Sequence, residues 1–195
     1  MRLLELFSGT GSVRKAVGTR FDETVSIDIL QKFKPTEVTN ILDWDYRKYP
    51  TGHFDVIWAS PPCTQYSIAK SQGVRDIEGA NAIVKRTLEI IEYFKPRLWF
   101  MENPQTGLLK KQDVVKDIPF YDVDYCQYGM LYRKRTRIWT NKVGFTPKLC
   151  DRRTCPGMNG TRHRLSCGNA NQVERPTTLV ERYSIPSQLI VELFD

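Results

Sequence analysis

Cys63 lies in Ala59-Ser60-Pro61-Pro62-Cys63-Thr64, directly after a short apolar run over residues 54–59. That run predicts a buried parallel strand. Two prolines stop it and stiffen its exit. A lone cysteine is more commonly a buried structural residue. A thiol on a rigid loop at the C-terminal end of a strand is instead placed for nucleophilic chemistry. Glu102, in Met101-Glu102-Asn103-Pro104, closes a second predicted strand over residues 97–101. A parallel sheet brings both strand ends to one edge, which sets a carboxyl group beside the thiol for acid–base work. Arg133-Lys134-Arg135-Thr136-Arg137 enters a later strand and adds guanidinium donors to that edge.

A second group of residues fits a cofactor. Phe7-Ser8-Gly9-Thr10-Gly11 follows the first predicted strand directly. Its glycines let the chain turn sharply and approach a ligand closely. The helix predicted from Ser12 aims its N-terminus at the same place. Asp28, followed by Ile29, ends the next strand and is positioned for ribose hydroxyls; Asp43 can accept from an adenine amino group. Pro61, on the thiol loop, borders the same space. A nucleoside cofactor follows, and the lack of a phosphate-gripping lysine motif counts against a nucleoside triphosphate.

The elements that position these groups alternate. Strands are predicted over residues 3–7, 23–29, 54–59, 97–101, 121–125 and 136–140, and helices from 12 to 17, 80 to 94 and 186 to 194. In the long helix Ile83, Val84, Leu88, Ile91 and Phe94 recur at a helical period. The alternation predicts an α/β fold, a mostly parallel doubly wound sheet with helices on both faces. Residues 1–140 and 176–195 form the expected catalytic domain. Residues 141–175, rich in Gly, Asn, Arg and Cys, form a small irregular insert. The stretch 64–79, bounded by Gly73 and Gly79, reads as a mobile loop.

Charge is segregated. From Gly129 to Arg175 eleven Lys and Arg face two acids, so this window carries +9 and the rest of the chain −2. Such a segment suits a polyanion such as nucleic acid. No apolar run reaches membrane-spanning length and no signal peptide is apparent, so an intracellular monomer in the cytoplasm or nucleoid is expected. Free thiols or metal ligands are then favoured over disulfides for the five cysteines. Cys150, Cys155, His163 and Cys167 offer four zinc ligands within the insert, where a metal would organise a segment too short for a core.

The ordered set Phe7-x-Gly9-x-Gly11, Pro62-Cys63, Glu102-Asn103 and Arg135-x-Arg137 resembles the C5-cytosine-specific DNA methyltransferases over nearly the whole chain. The resemblance implies a Rossmann-like fold, S-adenosylmethionine as cofactor and a cytosine flipped out of DNA. It implies that Cys63 attacks cytosine C6 and that Glu102 bonds the N3 and N4 edge. Arg135 would bind the O2 side, with Arg137 beside it. Three features depart from the family pattern. Arg133 stands where Gln is usual, Pro104 follows Glu-Asn, and Arg182-Tyr183-Ser184-Ile185-Pro186 replaces a C-terminal Gly-Asn segment. The insert is short for a target-recognition region, which implies short or weak sequence specificity.

Three other readings compete. An RNA cytosine-C5 methyltransferase shares every motif named here. An amino-group methyltransferase is suggested by Ser60-Pro61-Pro62 but needs neither Glu-Asn nor Arg-x-Arg. A non-catalytic nucleic-acid-binding relic would not require Cys63, Glu102 and Arg135 together. A compact enzyme of this kind suits a phage or mobile element.

Overall fold

The computed structural model describes residues 1–167 and 174–195. Its main strands are β1 (Arg2–Leu6), β2 (Glu23–Asp28), β3 (Glu37–Val38), β4 (Val56–Ala59), β5 (Leu98–Pro104), β6 (Phe120–Asp124) and β7 (Arg135–Thr140). They form one sheet in the order β3-β2-β1-β4-β5-β7-β6. Strands β1 to β5 pair in parallel, and β7 runs antiparallel to both β5 and β6. The chain builds outward from β1 through β2 and β3, then returns to place β4 on the other side of β1. That reversal opens a crevice at the C-terminal ends of β1 and β4, where open α/β sheets bind ligands.

Among the described residues four α-helices complete the fold: α1 (Ser12–Val17), α2 (Ile77–Phe94), α3 (Leu179–Tyr183) and α4 (Ser187–Phe194). Strand residues alternate between two cores, as a period of two requires. Leu4, Leu6, Ile57, Ala59 and Met101 share one core with Val84, Ile90, Ile91 and Phe94 of α2. Leu3, Val56, Trp58 and Phe100 share the other with Val13 and Val17 of α1 and Leu189, Ile190 and Leu193 of α4. Helices on both faces of a mostly parallel sheet are the expected architecture.

Helix α2 begins three residues earlier than its apolar pattern predicts. The Asp76 carboxylate accepts the Gly79 amide at 2.8 Å and caps the first turn. A Cβ at Gly79 would stand 2.2 Å from Asp76 Oδ2, so Gly79 accommodates the cap and is not a hinge. The loop after Cys63 therefore ends at Asp76. Arg75 gathers the carbonyls of Gln65, Ser67 and Lys70 at 3.1, 2.6 and 3.0 Å.

Within the predicted insert, β8 (Met158–Asn159) pairs with β9 (Arg162–His163), and β10 (Leu165–Ser166) pairs with β11 (Arg175–Pro176). Only Cys155 and Leu165 are buried hydrophobic side chains among described residues 141–167. Among the described residues, no helix is long and apolar enough to cross a membrane.

Glu5, in mid-β1, is 2% exposed. Its Oε1 accepts the Val13 amide at 3.3 Å, whereas Oε2 has no partner. Burial raises this carboxyl from 4.5 to about 7. A raised carboxyl favours folding at low pH, and that stability is lost as pH climbs from 4.5 through 7. The shift corresponds to about 3 kcal/mol. The urea midpoint should therefore fall between pH 5 and pH 8 in the wild type, and fall less in Glu5→Gln. Equal slopes in the two proteins would refute this assignment.

Candidate active site

The turn after β1 is held in a conformation that ordinary residues avoid. Phe7, Gly9 and Gly11 have φ of 57°, 45° and 69°. Glycine tolerates this region freely, whereas Phe7 is held there at a cost in backbone strain. The Gly11 amide closes the turn on the Ser8 carbonyl at 2.7 Å. Asp28 fastens it to β2, since one carboxylate oxygen accepts the Gly9 amide and the other the Leu30 amide, both at 2.8 Å. Ile29, just beyond, is 63% exposed. Asp43 lies exposed on the loop after β3. Ser8 Oγ is buried in the turn without a hydrogen-bond partner, a group that a polar ligand would satisfy. Thr10 Oγ1 and Ser12 Oγ lie 2.9 Å apart, and Ser12 Oγ accepts the Ile185 amide at 3.1 Å. The C-terminal segment thus reaches this turn although it lacks Gly-Asn.

The parallel register of β4 and β5 sets Ala59 opposite Met101. The chain leaves both strands at the same edge, beside the turn from β1. Asn103 Nδ2 donates to the Pro61 carbonyl at 2.8 Å and straps the thiol loop to β5. Cys63 is half-buried. Burial pushes its thiol above the usual value, the Glu102 carboxylate pushes it further, and Lys134 opposes both. Glu102 is 5% exposed. Its Oε1 accepts the Tyr125 hydroxyl at 2.9 Å and lies 3.4 Å from Lys134 Nζ. Lys134 Nζ also stands 4.9 Å from the centre of the Tyr125 ring.

Arg135 and Arg137 are engaged elsewhere. Glu102 pairs with Ile138 across the β5–β7 ladder, so it shares a face with Ile138 and Thr136. Alternation turns Arg135 and Arg137 to the opposite face. There Arg135 forks onto Asp124 at 3.2 and 2.9 Å, and Arg137 forks onto Asp122 at 2.7 and 2.9 Å. The sequence reading set Arg135 beside Glu102, but the cation found there is Lys134. In the sequence, the matched spacing of Asp122-x-Asp124 and Arg135-x-Arg137 marks these two cross-strand ion pairs.

The expected ligand group is also rearranged. Cys150, Cys155 and His163 converge, but Cys167 is exposed and stands outside their cluster. Cys126, from the turn after β6, takes the fourth place. It lies outside the insert, where spacing within one segment could not reveal it.

The model of the C-5 cytosine-specific DNA methylase family matches residues 1–119, more than half of the chain. The chain belongs to the C-5 cytosine-specific DNA methylases. It is 37% identical over 217 residues to a protein of Frog virus 3 (isolate Goorha) named "Probable DNA (cytosine-5)-methyltransferase". That match covers all of this chain and 99% of the viral protein. Among solved structures, the fold resembles a candidate DNA modification methyltransferase encoded within an E. coli prophage, with a TM-score of 0.55 and 17% identity over 77% of this chain. It resembles the Entamoeba histolytica methyltransferase EhMeth equally, with a TM-score of 0.55 and 18% identity over 76%. The chain spans about half of those two structures, matching 52% and 55% of their lengths.

This C-5 cytosine methylase uses much of its basic segment internally. Arg133 and Arg135 pair with Asp124, Lys134 with Glu102, Arg137 with Asp122, Lys148 with Glu192, Arg164 with Glu174, and Arg175 with Glu181. Arg152, Arg153 and Arg162 are exposed and form no ion pair among the described residues. The +9 of this window therefore overstates the charge left for a partner.

The pair around Cys63 predicts opposite shifts in its reactivity. Glu102→Gln removes a charge that raises the thiol, so its alkylation should begin at lower pH than in the wild type. Lys134→Met removes the opposing charge, so alkylation should begin at higher pH. Iodoacetamide labelling of Cys63, followed by peptide mass spectrometry across a pH series, reads both. Shifts in the same direction would contradict the geometry.

Proposed function

We propose that this methylase transfers a methyl group from S-adenosylmethionine to C5 of cytosine in DNA through a transient bond between Cys63 and C6. The observation that carries the reading is the convergence of the strained turn, Cys63 and Glu102 at the sheet's switch point. Family membership supplies the cofactor class. The residues fit it: Ser8 offers a buried unpaired hydroxyl, Asp28 keeps further lone pairs for ribose hydroxyls, and Ile29 and Pro61 add apolar surface. When bound, the cofactor supplies an electrophilic methyl group.

The chain's own part follows from its chemistry. C5 of cytosine is a poor nucleophile, and addition of the Cys63 sulfur to C6 gives C5 enamine character. As the sulfur adds, the thiol proton passes by way of Glu102 to N3, which offsets the charge on the ring, and Glu102 accepts a hydrogen bond from the N4 amino group. Tyr125 and Lys134 hold its carboxylate from the far side. Burial and Glu102 both disfavour the Cys63 anion, and Lys134 opposes them. After methylation a base takes the C5 proton, the C6–S bond breaks, and the departing Cys63 sulfur regains the proton held at N3. Stacked in a duplex, C6 is out of reach, so the base must be extruded, and the loop over residues 64–76 is suited to cover it. Arg152, Arg153 and Arg162 make phosphate contacts, and a recognition segment this small reads few bases.

DNA containing 5-fluorocytosine blocks the loss of the C5 proton and should trap a denaturation-resistant protein–DNA adduct in the presence of S-adenosylmethionine. The adduct should be absent in Cys63→Ala. Methyl transfer that survives Cys63→Ala would refute the covalent route, and an adduct with 5-fluorocytosine RNA alone would refute DNA as substrate.

A further inference from the structure

The four-residue cluster is built like a tetrahedral metal site. Cys126 Sγ, Cys150 Sγ, Cys155 Sγ and a nitrogen of His163 all lie within 4.8 Å of one another. Cys150 and Cys155 each place sulfur 3.5 Å from His163 Nε2. Zinc bonded tetrahedrally to thiolate and imidazole requires sulfur–nitrogen separations of about 3.6 Å and sulfur–sulfur separations of about 3.8 Å. Three sulfurs and one imidazole favour zinc over magnesium or calcium, which select oxygen. None of the cysteines is in a disulfide.

The backbone around the cluster is shaped for it. Cys155 and His163 bracket the β8–β9 hairpin, and the Met158 amide turns back on the Cys155 carbonyl at 3.1 Å. A Cβ at Gly157 would stand 3.0 Å from the Met130 carbonyl, tighter than ordinary contact, with His163 Cδ2 and Cys126 Cβ in ordinary contact at 3.4 and 3.5 Å. Glycine here lets the hairpin pass close to the Met130 carbonyl beside Cys126. Only two hydrophobic side chains are buried among described residues 141–167, so a metal would add to the hydrogen bonds and ion pairs that anchor this segment.

We propose that Cys126, Cys150, Cys155 and His163 bind one zinc ion that ties the insert to the catalytic sheet. The ion joins the hairpin that carries Arg162 and the turn that carries Arg152 and Arg153 to the residue next to Tyr125. Tyr125 in turn holds Glu102. The metal thereby fixes the nucleic-acid-facing arginines relative to the site.

Elemental analysis of untagged full-length protein, purified under reducing conditions without chelator, tests this. The expected result is about one zinc per chain. Cobalt exchanged into the same protein should give the visible absorption of a tetrahedral thiolate site. Cys167→Ser should retain the full zinc content and the cobalt spectrum, whereas Cys126→Ser should lose on the order of tenfold or more in zinc affinity. Wild-type protein that neither contains zinc nor takes it up on addition would overturn the proposal. So would loss of zinc in Cys167→Ser with retention in Cys126→Ser. The cobalt spectrum of the wild type keeps the proposal open to refutation even where Cys126→Ser fails to fold.

Discussion

The Asp124 carboxylate has no exposed surface, and the edge of the sheet is organised around it. It accepts from Arg133 Nε, from Arg135 Nε and Nη2, and from the Cys150 amide. Burial alone would raise this carboxyl. The Arg135 bond, the Cys150 amide and Arg133 outweigh burial and hold it below its usual value. A buried charge is tolerated only when its lone pairs are filled in this way, and removing one partner of such a pair costs about 3–5 kcal/mol. Asp124 therefore fixes β6 against β7 and both against the insert.

The two residues that follow extend this constraint in different directions. Tyr125 turns to the other face and holds Glu102, and Cys126 enters the thiol cluster. Three consecutive side chains thus serve the ion-pair network, the Glu102 carboxylate and the proposed metal. The three positions differ in chemistry because alternation along β6 and the turn after it point each one to a different neighbour. The cofactor turn stands apart from this edge, fastened by Asp28 to β2 and by Ser12 to the C-terminal segment. The thiol loop lies between them and is strapped to β5 by Asn103.

Most of the fold was legible in the sequence because buried parallel strands are short apolar runs and α2 has a regular helical period. Helix α1 and strands β2, β4 and β7 lie within a residue or two of their expected bounds, whereas β5 runs on to Pro104, so that Glu102 lies within it and does not close it. Cys63 and Glu102 were legible for the same reason, since each ends such a run. What alternation decides was harder to read. Arg135 and Lys134 are neighbours in sequence, yet Lys134, just before β7, reaches Glu102 at 3.4 Å while Arg135 turns to Asp124. Tyr125 and Cys126 became functional candidates only through contacts with residues distant in sequence. Cys167, expected from its spacing, gives way to Cys126, which lies beside the hairpin at Gly157, whereas Cys167 is exposed.

The central claim is that Cys63 acts on cytosine C6 so that methyl transfer occurs at carbon. Digestion of treated DNA to nucleosides, followed by mass spectrometry against authentic standards, tests it most directly. The account predicts 5-methylcytosine that depends on S-adenosylmethionine and vanishes in Cys63→Ala. N4-methylcytosine as the product, or 5-methylcytosine undiminished in Cys63→Ala, would contradict it.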